Sequence, residues 1–280
     1  MNQSDFAYLA DILRRRSGLV LPQQKIHLVE SRLAPVMRRF GFKDVSALLG
    51  ELRHGHEALV SAVIEAMTTN DSAFFRDRKT FDEFRDIVLP QLLIQRAARK
   101  HLRIWCAACA AGQEAYSIAM ILQDAKLSAR GWSVELIASD INSQMIARAA
   151  EGLYSQFEVQ RGLPIRKLIS DFTQEEGNWR ISERLRAAVS FRVLNLLEPF
   201  ASLGQMDVVF CRNVLMYFDH KTRASVLKRI GEVLAPDGSL LVGPAESVSS
   251  VAKGFVQTEH APGLYYRPRP LPPLLRRATG

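Results

Sequence analysis

Cysteine is scarce in this chain: Cys106, Cys109 and Cys211 are the only three in 280 residues. So small and odd a number in a chain of this length excludes a disulfide scaffold. Long apolar runs are missing too. The longest, Ile104–Ala111, falls far short of the roughly 20 residues that cross a bilayer. The first 20 residues carry Asp5 and Asp11 and no apolar stretch with a cleavage site, so no secretion signal is read and the cytoplasm is the expected location. No G-x-G-x-x-G or G-x-x-x-x-G-K-[ST] loop occurs, which disfavours a dinucleotide or a triphosphate. Cys106 and Cys109 form a C-x-x-C, but no second C-x-x-C and no paired histidines supply the remaining zinc ligands, so no metal is expected. The alanines around them offer no cation to lower a thiol pKa, and the pair reads as small packing residues.

What is present is ordinary for a globular chain: 48% hydrophobic and 24% charged residues, enough for a buried core. The net charge is +8. Residues 1–55 hold nine Lys or Arg against five Asp or Glu, nine minus five giving +4. A basic balance suits acidic partners, although a solvated face gives the same count.

Residues 1–70 read as a helical domain. Ser4 is placed to cap a helix whose Phe6, Leu9, Ile12 and Leu13 share one face. Pro22 opens a second helix, Pro35 should kink or split it, and Gly41 suits its end. Two shorter helical patterns cover Val45–Leu52 and Glu57–Met67. Residues 71–90 connect the domains and include a helix through Phe81, Phe84, Ile87 and Val88 that Pro90 should interrupt or end. From 91 to 266 the pattern changes. Strand-like runs at Leu102–Ala107, Val134–Ser139, Val189–Leu196, Asp207–Cys211 and Ser239–Val242 alternate with helices. That order predicts a doubly wound α/β domain with a mostly parallel sheet. A small β-insertion is expected at about 170–190, a hairpin over 173–184 turning at Gly177-Asn178. The Pro/Arg-rich tail, 267–280, is expected to be extended or disordered.

In such a sheet ligands sit at the carboxyl ends of the strands. Three strand ends carry chemistry. The loop Cys106–Gln113 is made of small residues that let a bulky ligand approach the backbone, and Glu114 follows at a helix start, where the dipole favours its charge. Asp140 ends the next strand, where an acid can accept both ribose hydroxyls of an adenosine. Arg212 and Asn213 follow the apolar run ending at Cys211, and Tyr217 puts a hydroxyl in an apolar neighbourhood. Taken singly, each reads equally well as a turn residue, a helix cap or a core aromatic.

These segments resemble the bacterial chemotaxis receptor methyltransferase family (CheR). Thr68-Thr69-Asn70 followed by Phe74-Phe75-Arg76 is similar to its Thr-Thr-Asn and Phe-Phe-Arg stretch. Trp105, Cys109, Gly112, Glu114, Tyr116 and Ser117 match a second pattern. Cys211–Asp219 matches Cys-Arg-Asn-Val-x-x-Tyr-Phe-Asp, and Gly243, Glu246 and Ser247 match a late Gly-x-x-Glu-Ser element. The resemblance runs in order from about residue 5 to 266. Ser72 stands where Thr is usual, Ala108, Ala110 and Ala111 where Gly, Ser and Thr are common, and Gln113 where Glu is frequent.

The resemblance implies a Rossmann-like S-adenosylmethionine methyltransferase domain and methyl ester formation on chemoreceptor glutamates. It implies S-adenosylmethionine as cofactor, held by Asn70, Ser72, Arg76, Gly112, Glu114, Asp140, Asn195, Leu196, Arg212 and Asn213. Arg76 and Tyr217 would lie beside the transferring methyl. The partner would be the receptor's acidic methylation helices, docked through Arg38, Arg39 and Arg53 of the basic helical domain. The short insertion, with its single Gly177, argues against tethering by a receptor tail peptide. Neither a nucleic-acid partner nor membrane insertion is expected. Two rivals remain. One is a methyltransferase of RNA or a small molecule, although the Asn-Pro-Pro-Tyr motif of amino methylation is absent; the other is a non-catalytic nucleotide-sensing adaptor on the same fold.

Overall fold

A computed structural model describes residues 1–248, 250–257 and 265–268, so all but the first two residues of the expected tail lie outside the described residues. Four helices form the N-terminal body: α1 (Gln3–Ser17), α2 (Ile26–Phe40), α3 (Val45–Leu52) and α4 (Glu57–Met67). Leu9, Leu13, Val29, Leu33, Leu48 and Leu49 meet in its core with no exposed surface. Helical spacing brings these aliphatic side chains to one face of each helix. Two expectations are corrected here. Asn2, not Ser4, caps α1, its side chain accepting the Asp5 N–H at 2.8 Å. And Pro35 does not split α2, which runs on from Ile26 to Phe40. Pro35 faces solvent, where water can serve the carbonyl that its missing N–H leaves free. Gly41 ends α2 in the left-handed conformation, as its position suggests.

Helix α5 (Arg78–Glu83) continues through a π-helical turn (Phe84–Val88) into α6 (Leu89–Gln95). Pro90 therefore does not end the helix as expected. It lies in the first turn of α6, and the Leu89 N–H reaches back to the Phe84 carbonyl; this wider register lets the ring pass.

Strands and helices then alternate: β1 (His101–Ala107), α7 (Gln113–Asp124), β2 (Ser133–Asp140) and α8 (Ser143–Glu151). A small excursion follows: β3 (Leu153–Ser155), α9 (Gln156–Gln160), α10 (Ile165–Asp171), β4 (Phe172–Glu175) and β5 (Asn178–Ile181). The main sheet resumes with α11 (Glu183–Ala187), β6 (Val189–Val193), β7 (Met206–Cys211), α12 (His220–Val233), β8 (Leu234–Leu241), β9 (Phe255–Gln257) and β10 (Tyr265–Pro268). Its order is β6-β2-β1-β7-β8-β10-β9, parallel from β6 to β8 and antiparallel at β10 and β9. Leu102, Ile104 and Cys106 of β1 pack on one face, Trp105 and Ala107 on the other. With both faces covered by protein, the strand is apolar without alternation from Ile104 to Ala107. Strand order reverses beside β1, which puts the ligand crevice at the ends of β1, β2 and β7.

The excursion is larger than the hairpin expected from sequence. β4 and β5 pair there, with Glu176 and Gly177 both at positive φ (46° and 82°), but β3 also joins, giving the order β3-β5-β4. Strand β6 is shorter than its apolar run: residues 194–196 leave the sheet for the crevice. In β8, residues 235–238 leave the register with β7. No helix among the described residues is long and apolar enough to cross a membrane.

Candidate active site

The loop leaving β1 is forced into a tight path. Ala108, Ala110 and Gly112 all take positive φ, at 57°, 47° and 88°. For the two alanines this is unfavourable by about 1–2 kcal/mol each. Hydrogen bonds to β2 hold them there: the Cys109 N–H donates to the Ser139 carbonyl (2.9 Å) and the Ala110 N–H to Asp140 Oδ2 (2.8 Å). The other oxygen of Asp140 accepts the Asn142 N–H (2.9 Å). Asp140 thus organises the loop while facing the cleft. Burial pushes its carboxyl above the usual range, against the pull of the backbone N–H groups.

Glu114 opens the second half of the floor. One of its oxygens takes a hydrogen bond from Arg212 Nη1. The Arg212 side chain is fully buried, lies 5.2 Å from the Phe81 ring centroid, and also donates to the Arg76 carbonyl (2.8 Å) and Asp77 Oδ2 (3.0 Å). The start of α7 and the loop after β7 therefore join through one ion pair, which also grips the inter-domain segment. That segment bends at Phe75 and Asp77, both at positive φ, and the Phe75 N–H donates to Ser117 Oγ (2.9 Å). Arg161, just after α9, donates to Asp71 (3.0 Å), so the small insertion steadies the same segment.

The helical body forms the opposite wall. Ser17, Leu19, Thr68 and Thr69 line the cleft with Asn70, Asp71, Ser72 and Arg76. Leu19 and Phe218 pair as an isolated antiparallel bridge, and the Val20 N–H donates to the Tyr217 carbonyl (2.9 Å). Glu65 of α4 accepts the N–H (2.8 Å) and hydroxyl (2.5 Å) of Ser143, at the start of α8. Sequence reasoning did not find Glu65: on α4 it reads as an ordinary exposed charge, and only its partner across the domain boundary reveals it.

The cleft holds about 910 Å³, the part open to solvent included. It brings together Asn70, Ser72, Arg76, Glu114, Asp140, Asn195, Leu196, Arg212, Asn213 and Tyr217. Gly112 stands apart. It does not line the cleft but turns the chain into α7, where a Cβ would sit 2.9 Å from that of Ala149. Asn195 lines it while its amide donates to the Arg16 carbonyl at the end of α1 (2.7 Å). Arg76 Nη1 donates to the Asp71 carbonyl (2.7 Å) with the guanidinium still partly exposed. The side chains of Asn70 and Ser72 and the hydroxyl of Tyr217 make no hydrogen bond to the described residues. Cys106 and Cys109 are buried, and burial drives both thiols well up, closing thiolate chemistry to them.

Two buried carboxylates, unpartnered amide and hydroxyl groups and apolar walls at Ile141, Leu194 and Leu196 suit a ligand with an ammonium group, a ribose diol and a flat base. A parallel sheet with such a crevice and a helical body on one side defines the class of Rossmann-like S-adenosylmethionine methyltransferases. Comparison with known proteins is specific. Residues 4–68 match the CheR methyltransferase all-alpha domain and residues 70–263 the CheR methyltransferase SAM-binding domain. The chain is 35% identical to chemotaxis protein methyltransferase 1 of Pseudomonas aeruginosa, over 94% of this chain and 97% of that one. It is 34% identical to the chemotaxis protein methyltransferase of Salmonella typhimurium, over 91% and 88%. The chain belongs to the CheR methyltransferase family, and S-adenosylmethionine is its cofactor.

Proposed function

We propose that the protein transfers a methyl group from S-adenosylmethionine to glutamate side-chain carboxylates of chemoreceptors, forming methyl esters. The observation that carries this reading is the meeting of Arg76 and Tyr217 with Glu114 and Asp140 in one cleft, in a chain similar over nearly its whole length to chemotaxis protein methyltransferases. The bound cofactor supplies an electrophilic sulfonium methyl. Glu114, beside Arg212, would hold its ammonium group, Asp140 the ribose diol, and Leu196 with Ile141 the base; Asn70, Ser72, Asn195 and Asn213 would contact it from the rim.

No histidine lines the cleft among the described residues, and none is needed. A glutamate with a reference pKa of about 4.3 is ionised near neutrality and attacks without a general base. The bound cofactor would supply the methyl group, its S–C bond breaking as the carboxylate O–C bond forms and leaving a neutral thioether. Arg76 and Tyr217 orient the incoming carboxylate; such positioning supplies on the order of 7–11 kcal/mol.

Docking of an acidic receptor helix falls to Arg38 and Arg39 before Arg53. Arg38 is exposed with no ion-pair partner among the described residues, whereas Arg53 lies over the Tyr8 ring and near Asp5. The four-residue strands β4 and β5 support the reading that no tail peptide is tethered. Three free, buried cysteines suit a reducing compartment such as the cytoplasm. The test is methyl transfer from radiolabelled cofactor to receptor-bearing membranes. Base-labile counts in the receptor support the proposal; counts stable to base, counts in RNA, or none at all refute it.

A further inference from the structure

The loop from β7 to α12 carries Arg212, Asn213 and Tyr217, and a residue outside it fixes its backbone. Glu246, beyond β8, is buried and does not line the cleft. Its Oε2 accepts the N–H groups of Asn213 (2.7 Å) and Gly243 (2.8 Å). Its Oε1 accepts those of Val214 (2.9 Å) and, more weakly, Met216 (3.4 Å). Four donors thus converge on one carboxylate, an arrangement of charge-assisted bonds that fixes backbone direction more firmly than neutral ones. Asn213 sits at φ 57°, and the chain then makes the short 3₁₀ turn Leu215–Tyr217. Packing around the carboxylate is tight: a Cβ at Gly243 would lie 2.9 Å from Glu246 Oε2 and 3.0 Å from Asn213 Nδ2.

We propose that Glu246 is a positioning residue for methyl transfer, setting the placement of Tyr217 through the backbone of residues 213–216 without touching substrate or cofactor. The proposal rests on the reading of Tyr217 given above. Glu246→Gln keeps the shape but turns one oxygen into an NH₂ group, so two backbone donors face a donor. A displacement near 1 Å at a reacting group costs on the order of a hundredfold in rate.

The experiment is a double-mutant cycle on the full chain: wild type, E246Q, Y217F and E246Q/Y217F, with kcat and KM for receptor methylation and the Kd of S-adenosylhomocysteine. The expected result is a kcat lower by about ten- to a hundredfold in E246Q, with a smaller change in Kd, and a double variant within about threefold of Y217F alone, because residues acting as one unit are non-additive. Multiplying losses in the double variant, or a kcat for E246Q within about threefold of wild type, overturns the proposal. Full activity in Y217F removes the reading of Tyr217 and the proposal with it, and is seen in the single variant. Should E246Q not fold, G243A presses a methyl group on the same carboxylate while keeping its charge. A lowered kcat there with the Kd of S-adenosylhomocysteine little changed upholds the proposal; an unchanged kcat, or a Kd weakened as much as kcat falls, overturns it.

Discussion

Arg212 and Glu114 form an ion pair across the floor of the cleft, with the Arg212 side chain fully buried. Such a pair stabilises little over apolar residues of the same shape, but breaking it is costly because one charge is left without its partner. Arg212→Met is expected to destabilise the fold by about 3–5 kcal/mol. Glu114→Gln should cost less, since Asp77 still faces the guanidinium. The double variant R212M/E114Q should be more stable than R212M, yet should not bind cofactor. Denaturant unfolding and calorimetry with S-adenosylhomocysteine separate the two effects; a double variant as unstable as the sum of the singles would show the pair uncoupled.

Arg76 and Tyr217 should fail differently. Arg76→Ala removes a guanidinium that lines the cleft and braces Asp71, so turnover and cofactor affinity should both fall. Tyr217→Phe removes a hydroxyl with no partner among the described residues, so the apo fold loses no bond. It should lower kcat by about ten- to a hundredfold, the range for a hydrogen bond to a charged group, and leave cofactor affinity unchanged. Initial rates beside calorimetric Kd values decide it, and normal turnover in both variants removes the role assignments.

Acidification should weaken cofactor binding earlier than an ordinary carboxylate would cause. The ribose hydroxyls donate, so they need Asp140 ionised, and burial raises its carboxyl above the usual range. As pH falls through that raised value, Asp140 takes a proton, an acceptor is lost and affinity declines. Asp140→Asn should bind weakly, with this acid limb flattened. A wild-type Kd that stays constant down to the ordinary carboxylate range would refute the assignment.

The Ala-rich loop offers a stabilising change. Ala108 sits at φ 57°, where glycine has no Cβ to strain. Relief of about 1–2 kcal/mol against the greater freedom of glycine in the unfolded chain leaves a net gain near 0.5–1 kcal/mol for Ala108→Gly. A melting temperature higher by about 1–4 °C is the expected reading in a thermal scan.

Much of this was legible because the signals were local. Strand–helix alternation after Leu102 and the bounds of α3 and α4 follow from apolar periodicity over short windows. Asp140, Glu114 and Arg212 stand where strands end, the place a parallel sheet reserves for ligands. What escaped was tertiary. Pro35 and Pro90 are tolerated for reasons of solvent exposure and a π-helical turn that no window reveals. Strand β3 is three residues long, too short for a pattern, and finds its partner 25 residues on. Glu246 reaches Asn213 across 33 residues of sequence, and Glu65 reaches Ser143 across 78.

Glu65 allows two effects to be told apart. Its carboxylate binds the Ser143 N–H and hydroxyl and Gln144 Nε2, tying the helical body to the loop that follows Asp140. It also adds negative charge near Asp140, one of the influences raising that carboxyl. Glu65→Ala removes both, and losing a bonded acceptor at the start of α8 should cost about 1 kcal/mol. The loosened loop should then weaken cofactor binding at neutral pH. Glu65→Gln keeps an acceptor for Ser143 and removes only the charge. Asp140 should then ionise at lower pH, moving the acid limb of cofactor binding downward while affinity at neutral pH stays near wild type. Kd values for S-adenosylhomocysteine measured across acid and neutral pH give the answer. If both variants bind more weakly at every pH, bracing dominates and the charge of Glu65 has no part in tuning Asp140; if both match wild type throughout, the contact between the two bodies does not support the cofactor site.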